Sequence, residues 1–123
     1  MRADRFRELQ EEFSTHELEI MRGKREHYAN DANVLLNIEQ IASMVKLCPE
    51  EVAYVLLMKH VQAIGNRIVT GNIAEDWTWV KEDGREGLKQ HIADARNYLL
   101  LLAACLERAA NQDLVLRRDS PGG

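Results

Sequence analysis

The stretch that decides the fold is residues 86–106, which reads EGLKQHIADARNYLLLLAACL. Within and just beyond it, apolar residues recur at spacings of four and three: Leu88, Ile92, Ala95, Leu99, Leu102, Leu106 and Ala109. This spacing is typical of a helix that buries one stripe of its surface. We therefore expect this segment to form a core helix.

Asp94 lies outside that stripe, on a neighbouring one that it shares with His91, Tyr98, Leu101 and Cys105. A carboxylate among such side chains is costly to desolvate unless a cation, a metal ion or several hydrogen-bond donors face it. Two interpretations stay open at this point. Asp94 either caps or salt-bridges the edge of a core helix, or it belongs to a functional site.

The rest of the chain predicts further helices, and hence an all-α bundle of four to five helices. Helix 1 is expected over about residues 3–28, with a break or kink near Ser14, because Ser14 and Glu17 are spaced as a capping box. Helix 2 is expected over about 33–46, after a turn and cap cluster at 30–33.

Helix 3 has a clear start signal, since Pro49 is followed by two acidic residues, and Gly71 marks its end. It is apolar nearly all round from residue 52 to 58, so we expect it to be the most buried helix. A loop with two tryptophans follows. Asp83 and Glu86 then suggest a cap for the last helix, which is expected to run to about residue 111.

Length and composition indicate one domain. The 123 residues, of which 46% are hydrophobic and 29% charged, fit a single helical domain over 1–112 with a mobile tail over 113–123. A net charge of −4 does not favour nucleic acid as a partner. No run is apolar enough to span a membrane. We expect a cytoplasmic location, with Cys48 and Cys105 as reduced core residues.

Two polar residues follow an apolar run on helix 3. Lys59 is expected on or beside the buried face, four residues after Val55. Its ammonium either extends back to solvent or points into a shared cavity, where it would pair with Asp94 or a substrate phosphate. His60 alone is as compatible with a core or surface histidine as with a ligand-binding role.

Helices 1 and 2 contribute further polar candidates. Asn37 could lie at the core edge and bind a base or a neighbouring helix, whereas Glu39 is expected to be solvated. Lys24 and Arg25 lie near the end of helix 1, where the helix dipole already favours a cation. The same basic cluster could bind a phosphorylated small molecule.

Several motifs of known chemistry are absent from the sequence. There is no glycine-rich phosphate loop, HExxH, CxxC or nucleophilic serine elbow, and the four histidines show no zinc spacing. An enzyme with this sequence would therefore use carboxylates on helices, which suit Mg²⁺.

The segment Asp94-Ala-Arg-Asn97-Tyr98, followed by four leucines, resembles the last core helix of MazG-like all-α nucleoside triphosphate pyrophosphohydrolases. Residues 24–107 resemble the small members of that family encoded by phages and prophages. The shared pieces, in order, are Lys24-Arg-Glu-His-Tyr28, Asn37-Ile38, Pro49-Glu50-Glu51-Val52, Lys59-His60, Glu86 and Asp94-Ala-Arg-Asn97-Tyr98.

The resemblance implies a fold and a chemistry. Family enzymes bind Mg²⁺ through an ExxE and an ExxD motif and cleave a (deoxy)nucleoside triphosphate to the monophosphate and pyrophosphate. In this chain His91 stands where the second motif has its glutamate, and no ExxE stands at the usual distance upstream. The resemblance therefore supports the family's fold for this chain more directly than it supports the family's activity.

On this resemblance, each candidate residue has an implied role. Asp94 would be a Mg²⁺ ligand with Glu51 or Glu39, and Lys59 and Glu86 would serve catalysis. The substrate would be held by Lys24, Arg25, Tyr28, Asn37, His60, His91, Asn97 and Tyr98.

Three functional hypotheses stay open. The chain is a MazG-like pyrophosphohydrolase, a nucleotide sensor or sponge on the same scaffold, or a structural or regulatory bundle whose polar residues satisfy one another. Wide apolar faces on several helices favour self-association under all three. Family relatives are dimers or tetramers with sites at subunit interfaces, so a homodimer or homotetramer is expected.

Overall fold

The computed structural model describes the backbone of residues 1–28 and 35–119 and the side chains of residues 1–19, 22 and 35–112. Five helices follow one another: α1 (Ala3–Tyr28), α2 (Leu36–Val45), α3 (Pro49–Thr70), α4 (Ile73–Asp76) and α5 (Leu88–Asp119). The described part holds no β-strand, only an isolated antiparallel bridge between Val80 and Glu86. The predicted all-α class is confirmed.

The signals at the two ends of α3 act as expected. The side chain of Glu51 accepts a hydrogen bond from the Cys48 backbone N–H at 3.1 Å, which closes a capping box at the first turn. Gly71 follows the last residue, and its N–H bonds the carbonyl of Arg67. By contrast, α1 is one continuous helix, so the predicted break near Ser14 is wrong.

Helices α3 and α5 form the central pair of the fold and run antiparallel. Val52 and Ala53, early in α3, share a core cluster with Cys105, late in α5. His60, one turn or more further along α3, lies beside Asp94, near the start of α5. Helix α2 adds Leu35, at its N-cap, and Ile38 to the same core.

The predicted stripe of α5 is buried only in part. Leu88 and Ala95 of the expected stripe are buried, but Leu99 and Leu106 are 52% and 51% exposed. In the leucine-rich part the buried residue is Cys105, which belongs to the neighbouring stripe together with the buried Asp94. The two stripes are equally apolar in their leucine-rich part, so sequence could not rank them. Helix α3 is likewise less buried than expected, since Tyr54, Val55 and Met58 are exposed.

The loop between α3 and α5 is held by a buried carboxylate that the sequence analysis did not single out. Asp76 Oδ1 lies 2.9 Å from Lys81 Nζ and 3.2 Å from Arg67 Nη1. Hydrogen bonding from Lys81 is the main cause that lowers the pKa of Asp76. Asp76 Oδ1 thereby joins α3, which carries Arg67, and α4, to which Asp76 belongs, to the loop that carries Lys81.

The expected cap of the last helix is also wrong. Asp83 accepts from the backbone N–H of Arg85 within the loop, and Glu86 pairs with Val80 before the helix begins at Leu88. Residue 87, just before the helix, must be a glycine because the backbone of Thr78 lies very close to it. A Cβ at this position would lie 2.0 Å from the carbonyl oxygen of Thr78. The chain thus enters α5 from a packed loop rather than from a capping box.

The other end of α5 extends beyond the expectation. The helix runs to Asp119, past the predicted end at about residue 111 and past the predicted domain boundary at residue 112. Residues 120–123, and the turn and cap cluster predicted at 30–33, lie outside the described part.

The two cysteines differ in environment. Cys105 is buried and free, as predicted, and burial raises the pKa of its thiol. Cys48 is exposed at the start of α3, so its prediction as a core residue is wrong. In the described helices, no segment is both long and apolar enough to cross a membrane.

Candidate functional site

Four of the sequence-predicted site residues meet where α3 crosses the first turns of α5. We call His60, His91, Asp94 and Tyr98 the polar cluster. His60 is the α3 member, and the other three follow one another along one side of α5. The spacings of three and four residues from His91 to Tyr98 place those three side chains on one helix face.

Asp94 lies at the centre of the cluster and is only 5% exposed. Its Oδ1 accepts a hydrogen bond of 3.1 Å from Gln90 Nε2, one helical turn earlier. Its Oδ2 lies 3.9 Å from His60 Nδ1, which is within ion-pair range for a protonated imidazole but longer than a hydrogen bond. The described contacts of the carboxylate therefore include a donor on its own helix and an imidazole across the helix interface.

The rings of the cluster lie against one another. The His60 imidazole is stacked on the Tyr98 ring at a centroid distance of 5.4 Å. The centroid of the His91 ring lies 5.9 Å from that of the His60 ring. Burial, with the Asp94 charge as the second cause, raises the pKa of the Tyr98 phenol. Tyr98 is therefore a neutral donor and acceptor at physiological pH.

One ring nitrogen of His91, on the side nearest the loop, is available for a hydrogen bond. Its Nδ1 atom is buried and makes no hydrogen bond within the described part of the chain. The nearest acid is Glu86, whose Oε2 lies 3.9 Å away and whose side chain is more than half exposed. Glu86 thus lies at the edge of the polar cluster rather than inside it.

A row of contacts connects the cluster to α1 and to the loop. Gln90, which donates to Asp94, also bonds His16 of α1, with 2.8 Å between its Oε1 and His16 Nε2. The His16 ring is stacked on Trp79, at 3.7 Å between centroids. A change at Trp79 can therefore reach Asp94 through two side chains.

The tryptophan loop packs against α1 and the start of α5. Trp79 lies 4.9 Å from the buried ring of Phe13, and Lys89 Nζ lies 5.2 Å from the centre of the Trp77 ring. Lys89 also pairs with Glu12 at 2.8 Å, and its hydrogen bond lowers the pKa of that carboxyl group. These contacts fix α1 to α5 next to the polar cluster.

Lys59 is not part of the cluster. It is exposed, whereas its neighbour His60 is mostly buried. Of the two interpretations of Lys59, its exposure agrees with an ammonium that extends back to solvent, and the described contacts of Asp94 are with Gln90 and His60. The physical reason is a helical step of about 100°, which turns residue 59 away when residue 60 faces α5.

The predicted metal ligands are spread along the bundle. Glu39 pairs with Arg108, which is 14 residues and about 21 Å beyond Asp94 on α5. Glu51 caps the start of α3, nine residues and about 14 Å before His60. Among the side chains that the structure describes, no group of three or more His, Cys, Asp or Glu residues is placed to hold a metal ion.

The remaining candidates are distributed as follows. Asn97 of α5 and Asn37 of α2 are half-buried. Lys24, Arg25 and Tyr28 fall in the last turns of α1, and their side chains lie outside the described residues. The structure therefore brings together four predicted residues, places Glu86 at their edge and separates Lys59, Glu39 and Glu51 from them.

Sequence analysis missed the two residues that link Asp94 to the rest of the molecule. His16 and Gln90 were unremarkable in their own helices, since neither interrupts an apolar run. The available signal for Gln90 was its position four residues before Asp94, a spacing at which an amide and a carboxylate can bond. His16 offered no such signal, because its partner is 74 positions away.

Comparison of the chain with protein-family models, with curated proteins and with solved structures finds no match. The site is therefore interpreted from its own geometry and from the resemblance of its motifs.

Proposed function

We propose that this chain binds a nucleotide at the polar cluster between α3 and α5. The supporting observation is the placement of Asp94, a buried carboxylate, beside the imidazoles of His60 and His91 and the ring of Tyr98. Imidazole and phenol groups donate hydrogen bonds to phosphate or sugar oxygens, and their rings stack on a base. These are four of the residues that the MazG-like resemblance assigns to nucleotide chemistry.

Mg²⁺-dependent cleavage of a (deoxy)nucleoside triphosphate to monophosphate and pyrophosphate is the second candidate. Asp94 favours it, since this carboxylate stands at the position that the resemblance assigns to a metal ligand. The described residues alone do not fit a Mg²⁺ site, because the nearest predicted acidic partners lie elsewhere. We therefore assign no catalytic step to the ion, and Mg²⁺ stays a prediction of the resemblance.

Two measurements on the full chain separate these candidates. Calorimetric titration with each common ribo- and deoxynucleoside triphosphate, with and without Mg²⁺, tests binding. A pyrophosphate-release assay under the same conditions tests cleavage. Saturable binding without release supports the binding protein, and Mg²⁺-dependent release supports the enzyme.

A matched pair of variants locates the site. His60→Ala should weaken nucleotide binding by at least about tenfold, which corresponds to one hydrogen bond or stacking contact. Lys59→Ala, at the neighbouring exposed position, should leave binding within about twofold. Neither binding nor release by the wild type would contradict both candidates and leave the structural or regulatory bundle.

A further inference from the structure

Helix α1 packs on the rest of the molecule through a narrow stripe of its surface. Residues 1–8 are all exposed. Between residues 9 and 19, five side chains are not exposed: Leu9, Glu12, Phe13, His16 and Glu17. Their alternating spacings of three and one place them on one side of the helix, over about two turns. We call these five residues the docking stripe.

Phe13 is the buried anchor of the docking stripe. It is 4% exposed, whereas Phe6, about two turns earlier on the same helix, is 54% exposed. The Phe13 ring lies 6.4 Å from the ring of Trp77 and 4.9 Å from that of Trp79. The guanidinium of Arg96 lies 5.7 Å from its centre. The anchor therefore packs against the tryptophan loop and a cation of α5.

Three of the other four members of the docking stripe are polar. Glu12 Oε2 lies 2.8 Å from Lys89 Nζ. Glu17 Oε1 lies 2.9 Å from Arg96 Nε, but within the described part of the chain this pair is not aligned as a hydrogen bond. Ion pairs between partly exposed side chains stabilise much less than the burial of apolar surface does. The docking of α1 thus depends mainly on one ring.

The buried core cluster is separate from this contact. Its members come from α3, α5 and the α2 region: Leu35, Ile38, Ala42, Val52, Ala53 and Cys105. None of the described side chains of α1 belongs to it. Segments that pack through separate clusters can open separately, because opening one breaks none of the contacts of the other.

The docking stripe also reaches the polar cluster. His16 bonds the side-chain oxygen of Gln90, and the nitrogen of the same amide donates to Asp94. When α1 leaves, the amide of Gln90 is no longer held from both ends. The docking of α1 and the position of the donor to Asp94 are therefore linked, and each influences the other.

We propose that α1 is a releasable strap. It docks and undocks as a unit while α2, α3 and α5 stay folded, and its release removes the His16 bond that holds Gln90 beside Asp94. The physical basis is the contrast between the two contacts. One buried ring and a few polar pairs hold α1, whereas the core buries apolar side chains contributed by several helices.

Hydrogen exchange of the backbone amides of the full chain measures both openings in one sample. A single helix of 26 residues without tertiary contacts is only partly formed in water, so undocked α1 loses most of its protection. Below the urea concentration of global unfolding, residues 9–17 should exchange at least about 100-fold faster than residues 53–57 of α3. Their exchange should also depend less on urea, because undocking exposes less surface.

Two phenylalanines of α1 allow a matched test. Phe13→Ala and Phe6→Ala remove the same ring from the same helix, inside and outside the docking stripe. Phe13→Ala should speed the exchange of residues 9–17 at least about tenfold, and Phe6→Ala less than about twofold. If Phe13→Ala loses the helix content of the core, Phe13→Leu, which keeps an apolar side chain, is read by the same criteria.

A core substitution gives the complementary test. Val52→Ala removes two buried methyl groups from the core cluster, so residues 53–57 should exchange at least about tenfold faster. Residues 9–17 should change less than about twofold, because undocking breaks no contact of Val52. The core should respond to Phe13→Ala as well, since α5 cannot unfold while α1 stays docked on it.

The link to Asp94 is tested by Gln90→Leu, with Gln112→Leu as the exposed control on the same helix. Loss of the His16 bond should speed the exchange of residues 9–17 at least about threefold, and the control should leave it unchanged. Equal exchange of α1 in these two variants would overturn the link.

Three further outcomes would overturn the strap itself. The first is exchange of α1 and the core at the same rate and with the same urea dependence, which would make them one cooperative unit. The second is a Val52→Ala variant in which α1 is accelerated as much as the core. The third is equal behaviour of Phe13→Ala and Phe6→Ala. None of these measurements involves a nucleotide, so the proposal stands or falls separately from nucleotide binding.

Discussion

Gln90 Oε1 and His16 Nε2 lie 2.8 Å apart, although the two residues are 74 positions apart in the chain. The other end of the same amide donates to Asp94. Because the amide oxygen can only accept, His16 Nε2 carries the proton in this bond. One side chain thus joins α1 and the stacked Trp79 to the only buried acid of α5 among its described residues.

Asp94→Asn distinguishes a functional carboxylate from a structural one. If Asp94 serves nucleotide chemistry, we expect the fold to persist and nucleotide binding or pyrophosphate release to fall at least about tenfold. If Asp94 only satisfies its neighbours, the free energy of unfolding should instead fall by about 1–2 kcal/mol, because the hydrogen bond from Gln90 no longer has a charged acceptor, with binding unchanged. Urea unfolding and nucleotide titration of the same sample decide between them.

The control for that substitution is Asp4→Asn, which changes an exposed aspartate near the start of α1. It should alter neither stability nor binding. If Asp94→Asn behaved like this control in both measurements, neither role of Asp94 would hold.

Gln90→Leu should remove the hydrogen-bonded link between α1 and the polar cluster. The substitution removes the bonds to Asp94 and His16 while keeping the apolar part of the side chain. We expect the free energy of unfolding to fall by about 1–3 kcal/mol, since the buried Asp94 and the partly buried His16 each lose a partner. Hydrogen exchange should become faster in α1 near His16.

Gln112→Leu is the matched change on the same helix, at an exposed position. Its unfolding free energy should stay within about 0.5 kcal/mol of the wild type. Equal effects of the two substitutions would show that the bonds of Gln90 contribute nothing specific.

The Asp76 contacts predict a pH dependence of stability. Lys81 and Arg67 lower the pKa of Asp76 below its ordinary value, so the folded state favours the carboxylate. The resulting stabilisation is present above the unfolded pKa of about 3.9 and is lost as the pH falls through the lower folded pKa. Asp76→Asn should therefore lower Tm at pH 7, and the difference from wild type should shrink below pH 4.

Thermal unfolding from pH 7 to pH 2 checks this expectation. Asp4→Asn serves again as the exposed control and should follow the wild-type curve. A Tm difference for Asp76→Asn that stays constant across the pH range would contradict a role for the Asp76 charge.

Tyr98 should titrate above the ordinary tyrosine range. Its burial and the Asp94 charge raise the pKa, so Tyr98 should ionise above the ordinary tyrosine value of about 10 in the folded protein. Stability that depends on Tyr98 is complete below the unfolded pKa of about 10 and is lost as the pH rises through the folded pKa. Ultraviolet absorbance of tyrosinate measures the titration.

Tyr98→Phe should remove the late step, and Asp94→Asn should move it toward lower pH. Tyr54→Phe, at an exposed position, should leave that step in place. An absorbance titration that Tyr98→Phe leaves unchanged above pH 10 would contradict the raised pKa of Tyr98.

Much of the fold follows from local patterns in the sequence. The bounds of α3 were predictable because Pro49, the acidic first turn and Gly71 act through the backbone of adjacent residues. The amphipathic character of α5 was equally clear. The site was predictable in part, since His91, Asp94 and Tyr98 share a face of one helix by spacing alone.

The tertiary structure decided which faces are buried. Sequence periodicity shows that α5 has an apolar stripe at Leu99 and another at Cys105, but burial depends on where α3 packs. The same holds for Lys59 and His60, which differ by one helical step, so that Lys59 is exposed whereas His60 is mostly buried.

Helical periodicity is a property of the chain itself, because backbone hydrogen bonds and the step per residue act between near neighbours. The sequence by itself therefore determined the class of fold, the start of α3 and the grouping of His91, Asp94 and Tyr98 on α5. Only the tertiary structure brought His60 to Asp94, and His16 through Gln90 to the same carboxylate. Those contacts join residues far apart in the chain, and their formation depends on the packing of whole helices, which no local pattern encodes.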